Sequence, residues 1–302
     1  MLHEIVWAVA EGADPKGQSL ELWDGGGVRV SFVDIPGLDI VNVRPLSGGD
    51  TCQAFEVTAS GGERYFVKQA SSFPGMMEAE ARGLQLMGEV PGVLVPRVYE
   101  VSSSSLVLEF VEPNHRGMRE LGKSLAVLHQ KKADSFGLDF DNYIGQSPQK
   151  NGPMSDDWPE FYWDHRLMRQ IRLGRQRGRS MEDIEAALVK AKPLVFEWLV
   201  DGGAPSEGAS LLHGDLWGGN VLHGYFIDPA PYFGHRETDL AMTQLFGGFS
   251  PDFYRAYDEE YPLLDTYHLR EPLYQLYHVL NHYTIFGGGY GQQALAILKN
   301  LL

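Results

Sequence analysis

The chain has 302 residues, of which 43% are hydrophobic and 22% charged, so its composition is that of a folded protein and not of a disordered one. Its 40 acidic residues outnumber its 25 basic ones and give a net charge of −15, which disfavours binding to nucleic acid or to anionic membranes. A cationic or neutral partner, or an anion neutralised by a metal ion, is compatible with that charge.

The cysteine count and the hydropathy pattern limit the class of protein further. Cys52 is the only cysteine, so no intrachain disulfide can form and we expect a reducing, cytoplasmic environment. No apolar run approaches the ~18 residues that a membrane-spanning helix needs, and the first residues lack the basic front of a signal peptide. The length predicts about two domains at ~150 residues each.

The first third of the chain is predicted to consist mostly of strands. Apolar residues alternate with polar ones between turn residues, and five segments are predicted to be strands: 28–33, 53–58, 64–69, 93–101 and 106–111. Glycines 25–27 form a turn before the first strand, and Ser60-Gly61-Gly62 joins the second and third as a hairpin. Pro96 makes the fourth an edge or irregular strand, serines 102–105 form a loop tip, and a helix is predicted over 78–89.

After Pro113 the apolar period changes to that of a helix. Leu121, Leu125 and Leu128 are spaced i, i+4 and i+7, which predicts an amphipathic helix. Ser180 and Asp183 resemble a capping box. The helix that follows has an apolar stripe of Ile184, Leu188, Ala191 and Val195. Pro193 is expected to kink this helix. Two late helices are predicted around 273–283 and 292–301. We therefore expect an α+β protein, with a β-rich lobe at 1–112, in which 1–44 receives no role, and a helical lobe at 113–302.

The strongest functional signal is L-L-H-G-D-L-W-G-G-N-V-L at residues 211–222, which reads as H-G-D-x-x-x-x-N between apolar pairs. Asp228 follows eight residues after Asn220, at the end of a short predicted strand. A carboxylate, an amide five residues later and then a second carboxylate are the catalytic arrangement of protein kinases. We expect Asp215 to accept or orient the proton of an attacking hydroxyl, and Asn220 and Asp228 to hold Mg²⁺ or Mn²⁺ at the nucleotide phosphates. His213 is expected to brace the loop.

A kinase needs further features upstream, and the chain has candidates in the required order. Gly48 and Gly49 precede a strand, where backbone N–H groups can approach phosphate. Lys68 lies in an apolar strand, in which an unpaired ammonium would be costly, and Glu80 opens the next helix, with Glu78 as the competing partner. A Lys68–Glu80 ion pair would hold the lysine toward the phosphates of ATP.

The strand that ends at Glu109 and Phe110 lies where the two lobes of a kinase are joined. In that position its backbone would offer hydrogen bonds to adenine, whereas the alternative is an ordinary core strand. If the segment binds adenine, ATP is the expected cofactor.

A metallohydrolase is the competing interpretation of the same region. Five metal-type side chains lie within a short stretch: His213, Asp215, His223, Asp228 and His235. No H-E-x-x-H pair or equivalent is present, and two of the histidines are easily loop residues. The kinase interpretation is therefore favoured.

These motifs resemble those of the fructosamine kinase (ketosamine-3-kinase) family, within the aminoglycoside-phosphotransferase branch of the protein-kinase-like fold. The resemblance rests on residues 212–220 and 227–230, and most specifically on G-H-R-E-T-D-L-A-M at 234–242. It extends from about Pro45 to the end of the chain. It implies a bilobal fold, with an antiparallel N-terminal sheet that carries one main helix and a larger, mostly helical C-terminal lobe.

The same resemblance implies an activity. The family phosphorylates the third-carbon hydroxyl of sugars attached to amines, such as ribulosamines and fructosamines, free or on protein lysines. The phosphate is then lost and the amine is released, which amounts to deglycation. The roles that the resemblance implies are a catalytic base, two magnesium ligands and a nucleotide-binding ion pair: Asp215; Asn220 and Asp228; Lys68 and Glu80.

One departure from the family pattern and one open question about site residues accompany the resemblance. Many family members have cysteine directly after the Gly-Gly of the phosphate loop, where this chain has Asp50, with Cys52 two residues later. Glu237 and Asp239 either line the acceptor side or form a structural pair, in which Arg236 binds a neighbouring carboxylate.

Two other functions compete with a ketosamine kinase. A kinase for another aminated small molecule, such as an aminoglycoside or choline, would share the nucleotide machinery and differ in the acceptor pocket. A nucleotide-binding pseudokinase is disfavoured, because all four residues whose loss would abolish catalysis are present: Lys68, Asp215, Asn220 and Asp228.

Overall fold

The computed structural model describes residues 19–23, 29–33, 35, 37–46, 52–70, 72–201 and 207–301 of the chain. The predicted turn at glycines 25–27 and the predicted phosphate loop, with Gly48, Gly49 and Asp50, lie outside the described residues. The described part begins with strands and continues with a largely helical region, as the change of apolar period near Pro113 predicted.

The N-terminal region is built on antiparallel strands. The strands β1 (Ser19–Trp23) and β2 (Arg29–Val33) form a hairpin of their own. The main sheet has five strands in the order β3-β4-β5-β7-β6: β3 (Ile40–Leu46), β4 (Gln53–Ala59), β5 (Arg64–Gln69), β6 (Val98–Val101) and β7 (Ser105–Glu109). The predicted hairpin is confirmed, because Gln53 pairs with Gln69. Strand β6 lies at the edge of the sheet, as Pro96 predicted. It begins at Val98 and not at the predicted residue 93, because the nitrogen of a proline cannot donate a hydrogen bond to the neighbouring strand.

Helix α1 (Met76–Gly88) covers one face of this sheet. Leu106 and Leu108 of β7 pack with Leu84 of that helix, whereas Val107 between them belongs to the apolar cluster on the opposite face. This alternation is the one that a pleated strand imposes on its side chains. It places the predicted nucleotide elements β5, α1 and β7 in one packed unit.

The C-terminal region is mostly helical. Its helices are α2 (Met118–Gln130), α3 (Trp158–Phe161), α4 (Met168–Gln176), α5 (Glu182–Asp201), α6 (Glu237–Leu245), α7 (Pro251–Glu260), α8 (Tyr267–Phe286) and α9 (Tyr290–Leu301), with a π-helix at Tyr162–Leu167 between α3 and α4. Its strands are β8 (Lys132–Ala133), β9 (Asn142–Ile144), β10 (Ser147–Gln149), β11 (Ala209–Leu212), β12 (Val221–Leu222), β13 (Tyr225–Phe226) and β14 (Tyr232–Gly234). Within the described ranges, no helix combines the length and the apolar character needed to cross a bilayer.

The predicted helices form as their apolar spacing indicated. Leu121, Leu125 and Leu128 of α2 are all buried, and α2 approaches α7 so closely that a Cβ at Gly122 would lie 2.2 Å from the Phe253 carbonyl oxygen. Only glycine permits that contact, which fixes the position of α2 against α7.

Helix α5 differs from its prediction at its beginning. The predicted stripe is buried, and the helix continues past Pro193 to Asp201. The predicted capping box of Ser180 and Asp183 is wrong: the helix begins at Glu182, and the Ser180 hydroxyl donates to the Glu182 carboxylate at 3.1 Å. Ser180 therefore belongs to the loop that joins α4 to α5.

Candidate active site

Five of the predicted site residues line one open cleft with a volume of about 190 Å³: Lys68, Glu80, Asp215, Asn220 and Asp228. The cleft lies between the sheet region and the helical region. Lys68 comes from β5, Glu80 from α1, and the other three from the segment that follows β11. The fold thus brings together residues that the sequence separates widely.

Lys68 is the buried cation of this cleft, with 7% of its surface exposed. Its Nζ donates to Glu80 Oε1 at 2.7 Å and to Asp228 Oδ1. Burial lowers the pKa of Lys68, but the charges of Asp228 and Glu80 raise it by more, so the ammonium stays charged. The partner of Lys68 on α1 is therefore Glu80 and not the competing Glu78.

The segment after β11 is pressed against the segment that carries Asp228. Gly214 has φ +84°, and a Cβ there would lie 2.0 Å from the Ala230 carbonyl oxygen, so no side chain fits. The Ala230 N–H donates to the His213 carbonyl at 2.9 Å. Asp228 itself has φ 54°, in the left-handed region that a few residue types such as aspartate tolerate. This backbone turns the Asp228 carboxylate into the cleft.

His213 braces the loop, as predicted. The ring is buried, its Nε2–H donates to the Ile227 carbonyl at 2.9 Å, and its Nδ1 accepts from the Asp215 N–H at 3.2 Å. Burial lowers the pKa of His213, so the ring is neutral near pH 7.

Asp239 anchors the same loop from below. Its Oδ2 accepts from the His213 N–H at 2.7 Å, and its Oδ1 accepts from the Gly214 N–H at 2.9 Å. The Nε2–H of buried His129 donates to Oδ2 at 3.1 Å, and His129 Nδ1 lies 2.8 Å from the Tyr257 hydroxyl. Burial lowers the pKa of His129 in spite of the carboxylate, so this histidine is also neutral. Sequence reasoning missed His129, whose only signal was a histidine at the end of an apolar helix.

The expectation that Glu237 or Asp239 lines the acceptor side is wrong, and the structural alternative is correct. Both carboxylates are buried, and Glu237 accepts from Arg270 Nη2 at 2.6 Å and from its Nε at 2.8 Å. Arg236 pairs with Glu207 at 2.8 Å. Buried carboxylates need such partners because an unpaired charge in the interior is costly, and this requirement explains the dense polar run at 234–242.

Asp215 stands half-buried at the floor of the cleft. Burial, followed by the charges of Asp228 and Asp239, raises the pKa of Asp215 to about 7, although the Asn220 amide opposes the shift. A carboxyl group with a pKa near the working pH is suited to accept a proton from a hydroxyl.

Asn220 and Asp228 present oxygen donors to the same space. Asn220 Nδ2 donates to the Asp215 carbonyl at 2.8 Å, so the amide nitrogen faces the loop and the amide oxygen is the end left for a ligand. The Asp228 side chain is 44% exposed in the cleft. Hard oxygen donors of this kind fit Mg²⁺, which takes one or two protein oxygens together with phosphates.

The cleft continues into an aromatic wall that the sequence motifs left without a role. Trp217 and Phe286 line it with 41% and 51% of their surfaces exposed. His282 lies between Phe246 and Phe286, with ring centroids 4.6 Å and 5.7 Å apart. Exposed aromatic rings at a cleft offer both apolar contact and cation–π attraction to an amine.

Glu109 and Phe110 lie elsewhere among the described residues. Neither lines the cleft, the Glu109 N–H donates to the Arg97 carbonyl at 2.8 Å, and the Phe110 ring lies 3.8 Å from the Arg64 guanidinium carbon. Any contact of this segment with adenine therefore uses groups other than the Glu109 N–H.

The residues of the metallohydrolase interpretation are not gathered into one site. Across the described ranges, no three side chains of the types His, Cys, Asp and Glu are grouped in a way that could hold a metal ion. His235 is buried, and its Nδ1 lies 2.7 Å from the Tyr274 hydroxyl. It thus belongs to the core, as His213 does.

The profile of the fructosamine kinase family matches residues 32–302, so the similarity begins before the expected Pro45. A candidate ketoamine kinase from Synechocystis sp. is 41% identical over 274 residues, which cover 86% of this chain and 90% of that protein. The chloroplastic protein-ribulosamine 3-kinase of Arabidopsis thaliana is 36% identical over 280 residues and covers 87% of this chain and 83% of its own. The crystal structure of a candidate fructosamine-3-kinase from Thermobifida fusca superposes with a TM-score of 0.79 at 32% identity, over 88% of this chain and 94% of that one.

More distant structures share the fold alone. Choline kinase LicA of Streptococcus pneumoniae has a TM-score of 0.58 at 16% identity, over 87% of this chain and 95% of that one. The predicted protein-kinase-like fold, with an antiparallel N-terminal sheet and a mostly helical C-terminal part, is confirmed.

Proposed function

The chain belongs to the fructosamine kinase family, and on that premise we propose that it transfers the γ-phosphoryl group of ATP to the 3-hydroxyl of a ketosamine. Relatives that cover most of the chain are named ketoamine kinase or protein-ribulosamine 3-kinase, which supports a phosphotransferase that acts on a hydroxyl group. The observation that carries the proposal is the convergence of a buried cation, a carboxyl group with a raised pKa and two oxygen ligands in one cleft.

The nucleotide occupies the side of the cleft that carries Lys68. The ammonium of Lys68 contacts the phosphates, and the hydrogen bond to Glu80 on α1 holds this ammonium in place. We assign Gly48 and Gly49 to the phosphate loop, and the segment of Glu109 and Phe110 to the adenine side. The two lobes, 1–112 and 113–302, then meet at the cleft.

Asn220 and Asp228 are the residues that would hold Mg²⁺ or Mn²⁺ with the nucleotide. The ion, when bound, neutralises charge on the phosphates. The donor set supports this assignment, because it consists of one amide oxygen and one carboxylate. Asp228 has a second task, since its contact with Lys68 sets the position of the ammonium.

Asp215 positions and deprotonates the acceptor. With a pKa of about 7, a large share of this group is carboxylate at neutral pH and can accept the 3-hydroxyl proton as the oxygen attacks. Phosphoryl transfer relies on alignment more than on proton abstraction. The bonds from Asp239 to the backbone of His213 and Gly214 hold this alignment.

The acceptor occupies the side of the cleft with the aromatic wall. A ketosamine carries an amine that is largely cationic near pH 7, and the faces of Trp217 and Phe286 attract such a group. The proposed substrates are free ketosamines, and ketosamines on the lysines of glycated proteins belong to the same class.

The product explains deglycation without a hydrolytic residue. Loss of a proton from C1 of the 3-phosphate gives an enol across C1 and C2, and that enol expels the phosphate from C3. Water then hydrolyses the C1 imine that remains, which releases the amine and leaves a dicarbonyl sugar. Phosphorylation is therefore the step that the enzyme must catalyse.

A direct assay tests the proposal. The purified protein with ATP and Mg²⁺ is incubated separately with ribuloselysine, choline and kanamycin, and the products are followed by ³¹P NMR. We expect a 3-phosphate from ribuloselysine, followed by free lysine and inorganic phosphate. Phosphorylation of choline or kanamycin in its place would contradict the substrate class, and phosphate on another carbon would contradict the position.

A further inference from the structure

Two of the segments that form the acceptor wall are far apart in sequence. One is the turn between β9 and β10, which contributes Gly145 and Gln146 to the cleft. The other is the last part of α8, which contributes residues such as His282 and Phe286. The wall therefore depends on whatever fixes these two segments relative to each other.

Arg179, in the loop between α4 and α5, binds the end of α8. Its Nη2 donates to the Ile285 carbonyl at 2.8 Å, and its Nε donates to the Thr284 carbonyl at 3.3 Å. The last carbonyls of a helix have no partner within the helix, and a cation there is favourable. Gly287, which follows α8, has φ +71°, and a Cβ there would lie 2.7 Å from Arg179 Nη1. The guanidinium is thus packed directly against the helix end.

Arg177, two residues earlier in the same loop, binds the other segment. Its Nη2 donates to the Gln146 carbonyl at 2.5 Å. Burial and the neighbouring charge of Arg179 lower the pKa of Arg177. In the part of the chain that the structure describes, neither arginine forms an ion pair. Each guanidinium is instead held by backbone carbonyls of these two segments.

We propose that Arg177 and Arg179 are positioning residues that clamp the two segments of the acceptor wall and thereby set the affinity for the acceptor. Neither is among the described residues that line the cleft, and both act through the backbone of residues that do. The inference rests on the proposed function, because it takes this wall as the acceptor side. It predicts that loss of the clamp affects the acceptor and leaves the nucleotide side unchanged.

Steady-state kinetics of Arg179→Ala test the clamp. We expect the KM for ribuloselysine to rise about tenfold, since a hydrogen bond from a charged group is lost at the wall, while the KM for ATP stays within about twofold. Arg179→Lys, which keeps the charge, should recover part of the affinity. Arg175→Ala is the matched control, because this exposed neighbour pairs with Glu185 on α5 and not with the wall. Equal changes in both KM values, or none beyond those of the control, would overturn the inference.

Amide hydrogen exchange gives a readout that needs no substrate. In Arg179→Ala we expect faster exchange in the last turn of α8, and in Arg177→Ala faster exchange at residues 145–147, whereas Arg175→Ala should match the wild type. If the wild type phosphorylates kanamycin or choline in place of ribuloselysine, the proposed function fails and the clamp is tested with that acceptor. Unchanged exchange would refute the clamp whatever the substrate. If an alanine variant does not fold, the lysine variants supply the same two measurements.

Discussion

Lys68 and Asp228, which are 160 residues apart in the sequence, form an ion pair across the cleft. Both residues are proposed to serve the phosphates, one through its charge and the other through a metal ion. The ammonium of Lys68 already compensates the charge of the Asp228 carboxylate. Asp228 therefore attracts a divalent ion only weakly until phosphates bind Lys68.

Metal binding should therefore depend on the nucleotide. We expect weak Mn²⁺ binding to the free protein and binding at least tenfold tighter in the presence of a non-hydrolysable ATP analogue, as measured by electron paramagnetic resonance. Asn220→Ala should weaken Mn²⁺ binding in the presence of the ATP analogue. Tight binding of Mn²⁺ without nucleotide would show that the Lys68 contact does not restrain the site.

Loss of Lys68 should affect both catalysis and stability. Lys68→Ala removes a contact to the phosphates, so we expect a higher KM for ATP and a lower kcat. It also leaves buried Glu80 without its cation, which should lower the free energy of unfolding by about 3 kcal/mol. The double variant Lys68→Met with Glu80→Gln is the control: stability should return in denaturant titrations while activity stays low. If the single variant turns over normally, the nucleotide does not contact Lys68.

Asp215 should be needed for chemistry and dispensable for nucleotide binding. Asp215→Asn keeps the shape of the side chain and removes the proton acceptor, so we expect kcat to fall by on the order of 10²-fold or more. The dissociation constant of ATP, measured by calorimetry, should change little because the nucleotide lies on the Lys68 side. Turnover within a few-fold of the wild type would exclude Asp215 as the base.

The raised pKa of Asp215 also predicts a pH-dependent gain in stability for the same variant. The folded-state value is about 7, against 3.8 for the free side chain. Ionisation is therefore penalised in the folded state, and stability is lost as the pH rises between these values. At pH 8 the free energy of unfolding of Asp215→Asn should exceed that of the wild type by up to ~4 kcal/mol. At about pH 4 the two proteins should be equally stable. Thermal unfolding of both proteins across this range measures the difference.

Asp239 should prove to be a positioning residue for the catalytic loop. Asp239→Asn cannot accept from both loop N–H groups and from His129, so we expect kcat to fall at least tenfold and the free energy of unfolding to fall by about 2 kcal/mol. Glu237→Gln is the matched control, since this carboxylate is equally buried in α6 and binds Arg270 in place of the loop. It should cost stability and leave kcat intact. Equal losses of kcat in both variants would contradict the role of Asp239.

Much of the candidate site was predictable from local spacing. The segment that contains Asp215 and Asn220 forms one loop, and the short distance to Asp228 leaves room only for the β12–β13 turn, so the backbone has few ways to arrange them. The apolar faces of β7 and α2 followed from periods of two and of 3.6 residues, because each period determines which side chains share a face.

Other features depended on contacts that no local pattern encodes. Glu80 was predicted as the partner of Lys68, with Glu78 as the competing residue, and the rotation of α1 against β5 decides that Glu80 contacts Lys68. The sequence left open whether Asp239 lines the acceptor side or is structural, and the packing of α6 decides this by turning Asp239 toward buried N–H groups. The contacts of Arg177 and Arg179 are likewise made by carbonyls more than 30 residues away. A buried polar group takes the partner that the fold places beside it, and that partner is set by the packing of distant elements, which spacing along the chain does not determine.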